Sequence, residues 1–181
     1  HLLHLSNLHP KLNVELVVAN TPIDMSRAEA EVTLRPARNM PDGLTGEKIC
    51  DMAFRVYAHR DYLAAHPSAH YGDHRWLVGT PPLTRSPIGE WQDANLGDAV
   101  SFKADSFMTL ARMAEAGLGP TMIPSFIARQ SHTLVRAQQF PDETFTSFWV
   151  AAHHDLMRIE WVPAMIEFLA ESIGRDRALL E

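Results

Sequence analysis

Apolar runs typical of strands alternate along this chain with segments typical of helices, and this order constrains the fold more than any other feature. The longest strand-like runs are KICDMAFRVYAH (48–59) and TSFWVAAH (146–153). The clearest helix signal follows Asp105 and Ser106, where apolar residues recur at i, i+3, i+4 and i+7 until Gly117. Strands that alternate with helices predict an α/β fold with mostly parallel sheets.

Shorter segments complete the alternation. The first residues have helical spacing up to Pro10. An amphipathic helix ends at Gly174, and Pro163 either belongs to its first turn or kinks it. Asp61 is expected to cap a short helix at 61–65. The other predicted elements are strands at 13–19, 31–35, 75–79, 99–103, 120–124 and 132–137, helical turns at 21–28 and 125–130, and loops at 36–46 and 80–91.

Length and composition limit the class of protein. The 181 residues, 46% hydrophobic and 21% charged, suit one compact unit or two small lobes. The net charge of −6 argues against a surface that grips nucleic acid itself. No run approaches the about 20 apolar residues that span a bilayer, and the first residues lack a basic signal-peptide region. The single cysteine, Cys50, excludes an internal disulfide, which fits a reducing cytoplasm.

Motifs of catalysis and of cofactor binding are missing. The sequence contains no GxGxxG, GxxxxGK[ST], GxSxG, HExxH or CxxC. No nucleophile is paired with a base at a recognisable spacing, and no carboxylate pair has a spacing that assigns acid and base roles. We therefore predict that the chain is not an enzyme and that it needs no cofactor.

The histidines do not predict a metal site. Pro67 and Gly72 interrupt the i, i+4, i+8 spacing of His66, His70 and His74, so that we expect solvated loop histidines there. His153, His154 and Asp155 stand at a strand end before a helix. Adjacent strand residues point to opposite faces, which predicts a turn and a helix cap rather than two imidazoles on one ion.

Two places in the chain could attract an anion. Asp105 and Ser106 begin a helix whose first N–H groups favour negative charge, although Asp105 opposes an anion and simple capping explains both residues as well. Arg35 ends a strand just before Pro36, where it could fork a carboxylate or form a surface ion pair.

Two further sets of polar residues are candidates for binding. Arg55 lies inside an apolar strand, where an unpaired guanidinium is costly, so it needs either an internal acid or a ligand as partner. Thr80, Thr84 and Ser86 place hydroxyls in a proline-rich loop, which is either part of a ligand site or ordinary loop polarity.

The two longest strands could cross between two lobes. In that arrangement lobe I comprises 1–58 and 149–181, and lobe II comprises 59–148. Ligands of open α/β sheets bind beyond the carboxyl ends of strands. The loops at 35–38, 80–87 and 104–106 stand at such ends and would face one another across a cleft.

Five stretches in register over nearly the whole chain resemble the effector-binding domain of LysR-type transcriptional regulators. They are HPKLNVELVVAN, DMSRAEAEVTLRPA, GLTGEKICDMAFRVYAHRDYLAAHP, FKADSFMTLARMAEAGLGPTMIPSFIA and HHDLMRIEWVPAMIEFLAE. The resemblance implies a periplasmic-binding-protein-like fold of type 2, with two Rossmann-like lobes joined by two crossover strands. It also implies a cytoplasmic protein that forms dimers or tetramers, without a membrane partner.

The family also implies a small-molecule effector, often an anion, in the cleft. By position in the family's pattern, the residues expected to contact it are Arg35, Pro36, Arg55, Thr80, Thr84, Ser86, Asp105 and Ser106. Neither a metal nor another cofactor is implied.

The chain departs from the family at several points. The family's first strand, the Ser/Thr-bearing loop after it and the winged helix-turn-helix that binds promoter DNA are absent from the sequence. We therefore expect an N-terminally truncated fragment that reaches DNA only through that missing domain. Glu31 replaces a usual Asp, and His154 replaces a usual Pro.

Two other functions remain open. A solute-binding protein of a transporter has the same fold, and an upstream lipoprotein signal would distinguish it from a regulator. An enzyme on this fold is the third possibility, but the sequence supplies no nucleophile with its base.

Overall fold

The computed structural model describes residues 1–18 and 30–181. The helices are α1 Leu2–Leu8, α2 Arg60–Ala65, α3 Pro87–Asn95, α4 Phe107–Glu115, α5 Ser125–Ala128 and α6 Trp161–Gly174. The strands are β1 Thr33–Pro36, β2 Leu44–His59, β3 Trp76–Gly79, β4 Val100–Ala104, β5 Thr121–Pro124, β6 Leu134–Arg136 and β7 Glu143–His153. Short 3₁₀ turns lie at Tyr71–Asp73, Gly97–Ala99, His154–Arg158 and Arg177–Leu179.

The chain divides into two compact units. Unit 1 is formed by His1–Cys50 and Ser147–Ala178, and unit 2 is formed by Asp51–Thr146 and Leu179–Glu181. β2 and β7 each contribute residues to both units. No helix in the described ranges is long and apolar enough to cross a membrane.

In unit 1, α6 packs on β7. β1 runs antiparallel to β7, with Thr33 opposite Ala151. Val150 and Ala152 on β7 form a buried cluster with Val162 and Ile166 of α6, so that the apolar stripe of the helix is covered by the strand. The helix therefore forms where its sequence pattern predicts, with Pro163 in the first turn, where its missing N–H is not needed.

In unit 2, β3 and β4 run parallel and α4 covers them. The core cluster joins strand and helix residues: Leu77, Leu110, Ala111, Ala114, Ile123, Ile127, Ala128 and Leu134. β5 and β6 each pair antiparallel with β2. Gly117 follows α4 with φ of +76°, a conformation that favours glycine, as its position after the apolar repeat predicts.

Two predictions about strands are wrong. Residues 13–18 are not a strand: Val14, Leu16 and Val18 are 53%, 69% and 87% exposed, and no described residue pairs with the segment. β-branched residues favour a strand only where a neighbouring strand supplies hydrogen bonds and packing. Residue 19 and the predicted turn or helix at 21–28 lie outside the described residues. The expected mostly parallel pairing also fails among the described strands, because β1 with β7, β2 with β5 and β2 with β6 are antiparallel.

The predicted loop at 80–91 is wrong after Ser86, because α3 begins at Pro87. Ser86 is the N-cap residue and Pro87 occupies the first turn, which is a known start signal that the abundance of proline in this segment hid. Gly89 lets Thr84 of the loop lie close to α3, since a Cβ on Gly89 would lie 2.0 Å from the Thr84 carbonyl oxygen.

Two local predictions about polar residues are also corrected. The cap of α2 is His59, whose ring accepts a hydrogen bond from the Asp61 N–H, rather than the Asp61 side chain. His74 is not a solvated loop residue: it is 3% exposed and packs edge-on against Phe140, with centroids 5.0 Å apart. His66 and His70 are exposed, as expected.

Candidate functional site

The parallel pairing of β3 with β4 brings two predicted loops to one edge of unit 2. Gly79 stands opposite Ala104, and the Thr80 N–H donates to the Ala104 carbonyl at 2.9 Å. Thr80 therefore lies beside the point where the chain passes from β4 to Asp105 and Ser106. This is the carboxyl edge of the strands, where α/β sheets bind ligands.

α4 begins at this edge, and Ser106 is its cap. The Ser106 hydroxyl accepts a hydrogen bond from the Thr109 N–H at 3.5 Å, which is long for such a bond. Asp105 is exposed and Ser106 is half-buried. The Ser106 hydroxyl thus makes only a weak hydrogen bond to the first turn of α4. The N–H groups at a helix start suit an anion or a polar ligand group.

The loop between β3 and α3 contributes hydroxyl groups. The Ser86 hydroxyl donates to the Leu83 carbonyl at 2.7 Å and makes no cap hydrogen bond to α3. Thr80 and Thr84 are half-buried, and their side chains make no hydrogen bond to the described residues. Unit 2 therefore gathers two helix starts and two unused hydroxyls in the loops that follow β3 and β4.

Arg35 and Pro36 lie in unit 1, on β1. Arg35 stands opposite Trp149 and Pro36 opposite Phe148 in the ladder. Arg35 is half-buried, and its guanidinium makes no ion pair with the part of the chain that the structure describes. A cation on a strand, with no acidic partner among residues 1–18 and 30–181, is suited to binding a carboxylate.

Arg55 lies on β2 in unit 2 and has internal partners. Its Nε donates to Glu143 Oε2 at 2.9 Å, and its Nη1 donates to Ser125 Oγ at 2.8 Å and to the Glu181 carbonyl at 2.6 Å. Of the two alternatives that the sequence left for this guanidinium, the structure supplies the internal acid. Arg55 also lines an open depression of about 590 Å³ together with Asp51, Phe145 and Glu181.

Glu143 and the start of α3 were missed by the sequence analysis. Glu143 stands at the first position of β7 and also lies 3.3 Å from Arg136 Nη2. The apolar run that begins at Thr146 gave no sign that the strand starts three residues earlier. The start of α3 could have been found from the Ser-Pro pair at 86–87.

His153, His154 and Asp155 form the turn that the sequence predicts, but the geometric argument against a shared face is wrong. His153 caps the following 3₁₀ turn by accepting from the Asp155 N–H at 3.4 Å. β7 ends at His153, so His154 no longer follows the strand's alternation. The centroids of the two imidazole rings lie 4.3 Å apart.

Several solved structures of the same fold are regulatory or effector domains. The regulatory domain of CrgA from Neisseria meningitidis has a TM-score of 0.76 and 20% identity over 94% of this chain and 89% of that one. The AphB regulatory domain from Vibrio vulnificus has a TM-score of 0.70 and 22% identity, covering 93% and 89% of the two chains. The effector domain of AmpR from Pseudomonas aeruginosa has a TM-score of 0.66 and 20% identity, covering 98% and 90%.

These matches confirm the predicted α/β fold of the periplasmic-binding-protein-like type 2 class. CrgA is a LysR-type transcriptional regulator, AmpR is a transcriptional regulator, and AphB of Vibrio cholerae is a virulence activator. The chain spans 62% of full-length CrgA and 62% of full-length AphB from Vibrio cholerae.

A comparison with curated protein sequences found no match. The LysR substrate binding domain family, in contrast, matches residues 1–174. That match covers nearly the whole chain and agrees with the five stretches of resemblance in the sequence. The chain therefore belongs to the LysR substrate-binding domain family.

Proposed function

We propose that this chain is the sensing domain of a cytoplasmic LysR-type transcription regulator and that it binds a small anionic metabolite. The observation that carries the proposal is the edge of unit 2 where the Thr80 N–H meets the Ala104 carbonyl and α4 begins. N–H groups at a helix start and unused hydroxyls recognise a carboxylate or a similar anion.

The proposed contacts with the effector lie mainly at this edge of unit 2. Thr80, Thr84 and Ser106 donate hydrogen bonds to the anion, and the first turn of α4 contributes its partial positive charge. Ser86 and Asp105 shape the same loops. Arg35, Pro36 and Arg55 are proposed as contacts on the ground of the family resemblance, in an effector domain made of lobe I (1–58, 149–181) and lobe II (59–148).

The wider function is that of a ligand-controlled regulator. Effector binding shifts the domain between two states by the difference in its affinity for them. In a homodimer or homotetramer, the change of state alters how an N-terminal winged helix-turn-helix of the full-length protein binds promoter DNA. A solute-binding protein of a transporter is the alternative, and an upstream lipoprotein signal with no effect of ligand on promoter binding would favour it.

The test uses Ser106→Asp in a thermal-shift screen of small carboxylates and aromatic acids against the full-length protein. Aspartate caps helices as well as serine does and is favoured at a helix N-terminus, so the variant should fold normally. Its carboxylate repels an anion. We expect unaltered protein to be stabilised by at least one acid, and the variant to lose that stabilisation with an unchanged melting temperature in buffer.

Two further variants sharpen the result. Thr80→Val keeps the shape of the side chain and removes the hydroxyl, so it should weaken binding of the same acid. Ser101→Ala, on the exposed face of β4, is the matched control and should bind like unaltered protein. No stabilisation by any acid, or equal binding by the Ser106→Asp variant, would contradict the proposal.

A further inference from the structure

Three ligand-type side chains converge where β7 ends in unit 1. His153 Nδ1 lies 3.5 Å from Asp155 Oδ2, and His154 Nε2 lies 3.5 Å from Asp155 Oδ1. One ligand atom from each residue lies within 4.8 Å of the other two. A zinc ion with bonds of about 2.1 Å holds its ligand atoms about 3.4 Å apart. The two separations of 3.5 Å end on different oxygens of Asp155, so a carboxylate that binds the ion through both oxygens would keep both of them.

The same type of turn occurs a second time in the chain. Comparison of the two turns shows which residues the turn needs. β2 ends at His59, with φ −60° and ψ 135°, and the His59 ring accepts from the Asp61 N–H at 3.1 Å. β7 ends at His153, with φ −61° and ψ 139°, and the His153 ring accepts from the Asp155 N–H. The conformation and the cap are the same in both places.

The residue in the middle of the turn differs. At the end of β2 it is Arg60, whose guanidinium donates to the His132 carbonyl. At the end of β7 it is His154, whose imidazole lies with the other two groups. A His-x-Asp turn of this geometry therefore forms without a second imidazole, and capping does not account for His154.

The hydrogen bond of the His154 ring is made by Nδ1, which leaves Nε2 available to bind a metal. His154 Nδ1 lies 3.0 Å from the Gly43 carbonyl oxygen, which can only accept, so Nδ1 carries the proton. Nε2 then has a lone pair, and Nε2 is the atom that faces Asp155. Orientation of a metal-binding imidazole by a backbone carbonyl on its other nitrogen is the usual arrangement of such sites.

The hydrogen bond that a metal would have to replace at His153 is weak. Its Nδ1 accepts from the Asp155 N–H at 3.4 Å, which is long enough for a metal to replace at small cost. The His153 side chain is 19% exposed, whereas those of His154 and Asp155 are about 60% exposed. Solvent can therefore supply the remaining ligands, and an ion can enter and leave.

We propose that His153, His154 and Asp155 form a binding site for a divalent transition-metal ion such as Zn²⁺, Co²⁺ or Ni²⁺. Two imidazoles and one carboxylate suit these ions, whereas Mg²⁺ and Ca²⁺ prefer oxygen ligands. Water completes the coordination. These three residues belong to unit 1, whereas the residues of the proposed effector edge belong to unit 2.

The experiment titrates Zn²⁺ alone, and in parallel Co²⁺ with its visible spectrum, into untagged protein and into His154→Arg. The variant gives β7 the His-Arg-Asp turn that β2 already has, so it should keep the fold and the melting temperature without metal. We expect a Co²⁺ spectrum with nitrogen ligands in unaltered protein, and Zn²⁺ affinity at least about tenfold weaker in the variant.

His70→Asn is the matched control, because His70 is an exposed imidazole with an acidic neighbour, Asp73, at 3.6 Å, but belongs to no cluster of three ligand groups among the described residues. It should bind Zn²⁺ like unaltered protein. Asp155→Asn should weaken Zn²⁺ binding, as the carboxylate is a ligand. Equal Zn²⁺ affinity in unaltered protein and His154→Arg, or an equal loss in His70→Asn, would overturn the proposal.

Discussion

Arg55 on β2 donates from Nε to Oε2 of Glu143 at the start of β7, over 2.9 Å, within unit 2. The Arg55 side chain is 18% exposed and that of Glu143 is 39% exposed. A mostly buried guanidinium needs such a partner, because its desolvation is costly. The pair therefore has a role in stability that is independent of any ligand.

Replacement of Glu143 by Gln should lower the free energy of unfolding by about 1 kcal/mol, since the pair is partly exposed and solvent screens it. Urea denaturation measures the change. Glu171→Gln is the control, because its partner Arg175 lies at 3.3 Å with 72% of its side chain exposed, and its effect should be close to zero. Equal losses in the two variants would contradict a special role of the Arg55 contact.

The Tyr71 hydroxyl donates to Asp142 Oδ2 at 2.5 Å, and burial together with this bond raises the pKa of Tyr71 to about 12. The neutral phenol is thus favoured in the folded protein. Its contribution to stability is fully present below pH 10 and is lost as the pH rises from 10 to 12. An ultraviolet titration of tyrosinate should lose its step near pH 12 in Tyr71→Phe.

The same variant should be destabilised by about 1 kcal/mol at neutral pH, through the loss of one hydrogen bond to a charged acceptor. Asp142→Asn should retain the phenol and lower the pKa of Tyr71, because the anionic acceptor is gone. A tyrosinate titration that is identical in unaltered protein and in Asp142→Asn would show that the contact does not hold the phenol in its neutral form.

The Ser68 hydroxyl donates to Asp73 Oδ2 at 2.6 Å and is the main cause of the lowered pKa of Asp73, with smaller contributions from the nearby His70 and His74. The ionised carboxylate is stabilised in the fold, so this contribution is present above the ordinary value of 3.8 and is lost as the pH falls below it. In Ser68→Ala, the pKa of Asp73, followed by NMR, should move up toward 3.8. An unchanged value would assign the shift to the histidines instead.

Gly46→Ala should destabilise the protein severely. A Cβ on Gly46 would lie 2.0 Å from the Val150 carbonyl oxygen and 2.5 Å from Ala151 Cα, so β2 and β7 would have to separate. Gly174→Ala is the matched control at the end of α6, where a Cβ meets nothing within 4 Å. That change should stabilise the helix by up to about 1 kcal/mol. Thermal melting of both variants tests the close approach, and a mild effect of Gly46→Ala would contradict it.

The sequence alone determined the elements whose signals are local. α4 begins after Ser106 and is followed by Gly117 in a left-handed conformation, and β2 contains the predicted strand 48–59. An N-cap, a helical repeat and a glycine at positive φ act within a few residues of one another, so that their effect can be read from the chain. The five stretches that resemble the LysR-type family were likewise recognised from residues close together in the sequence.

Tertiary structure decided which of these elements meet. Only the fold chose Glu143 as the acid for Arg55, buried His74 among aromatic rings, and placed the imidazoles of His153 and His154 side by side. It also left residues 13–18 without a strand partner among the described residues. Contacts of this kind depend on segments that are distant in sequence or on where a strand stops, and local propensity contains no information about either.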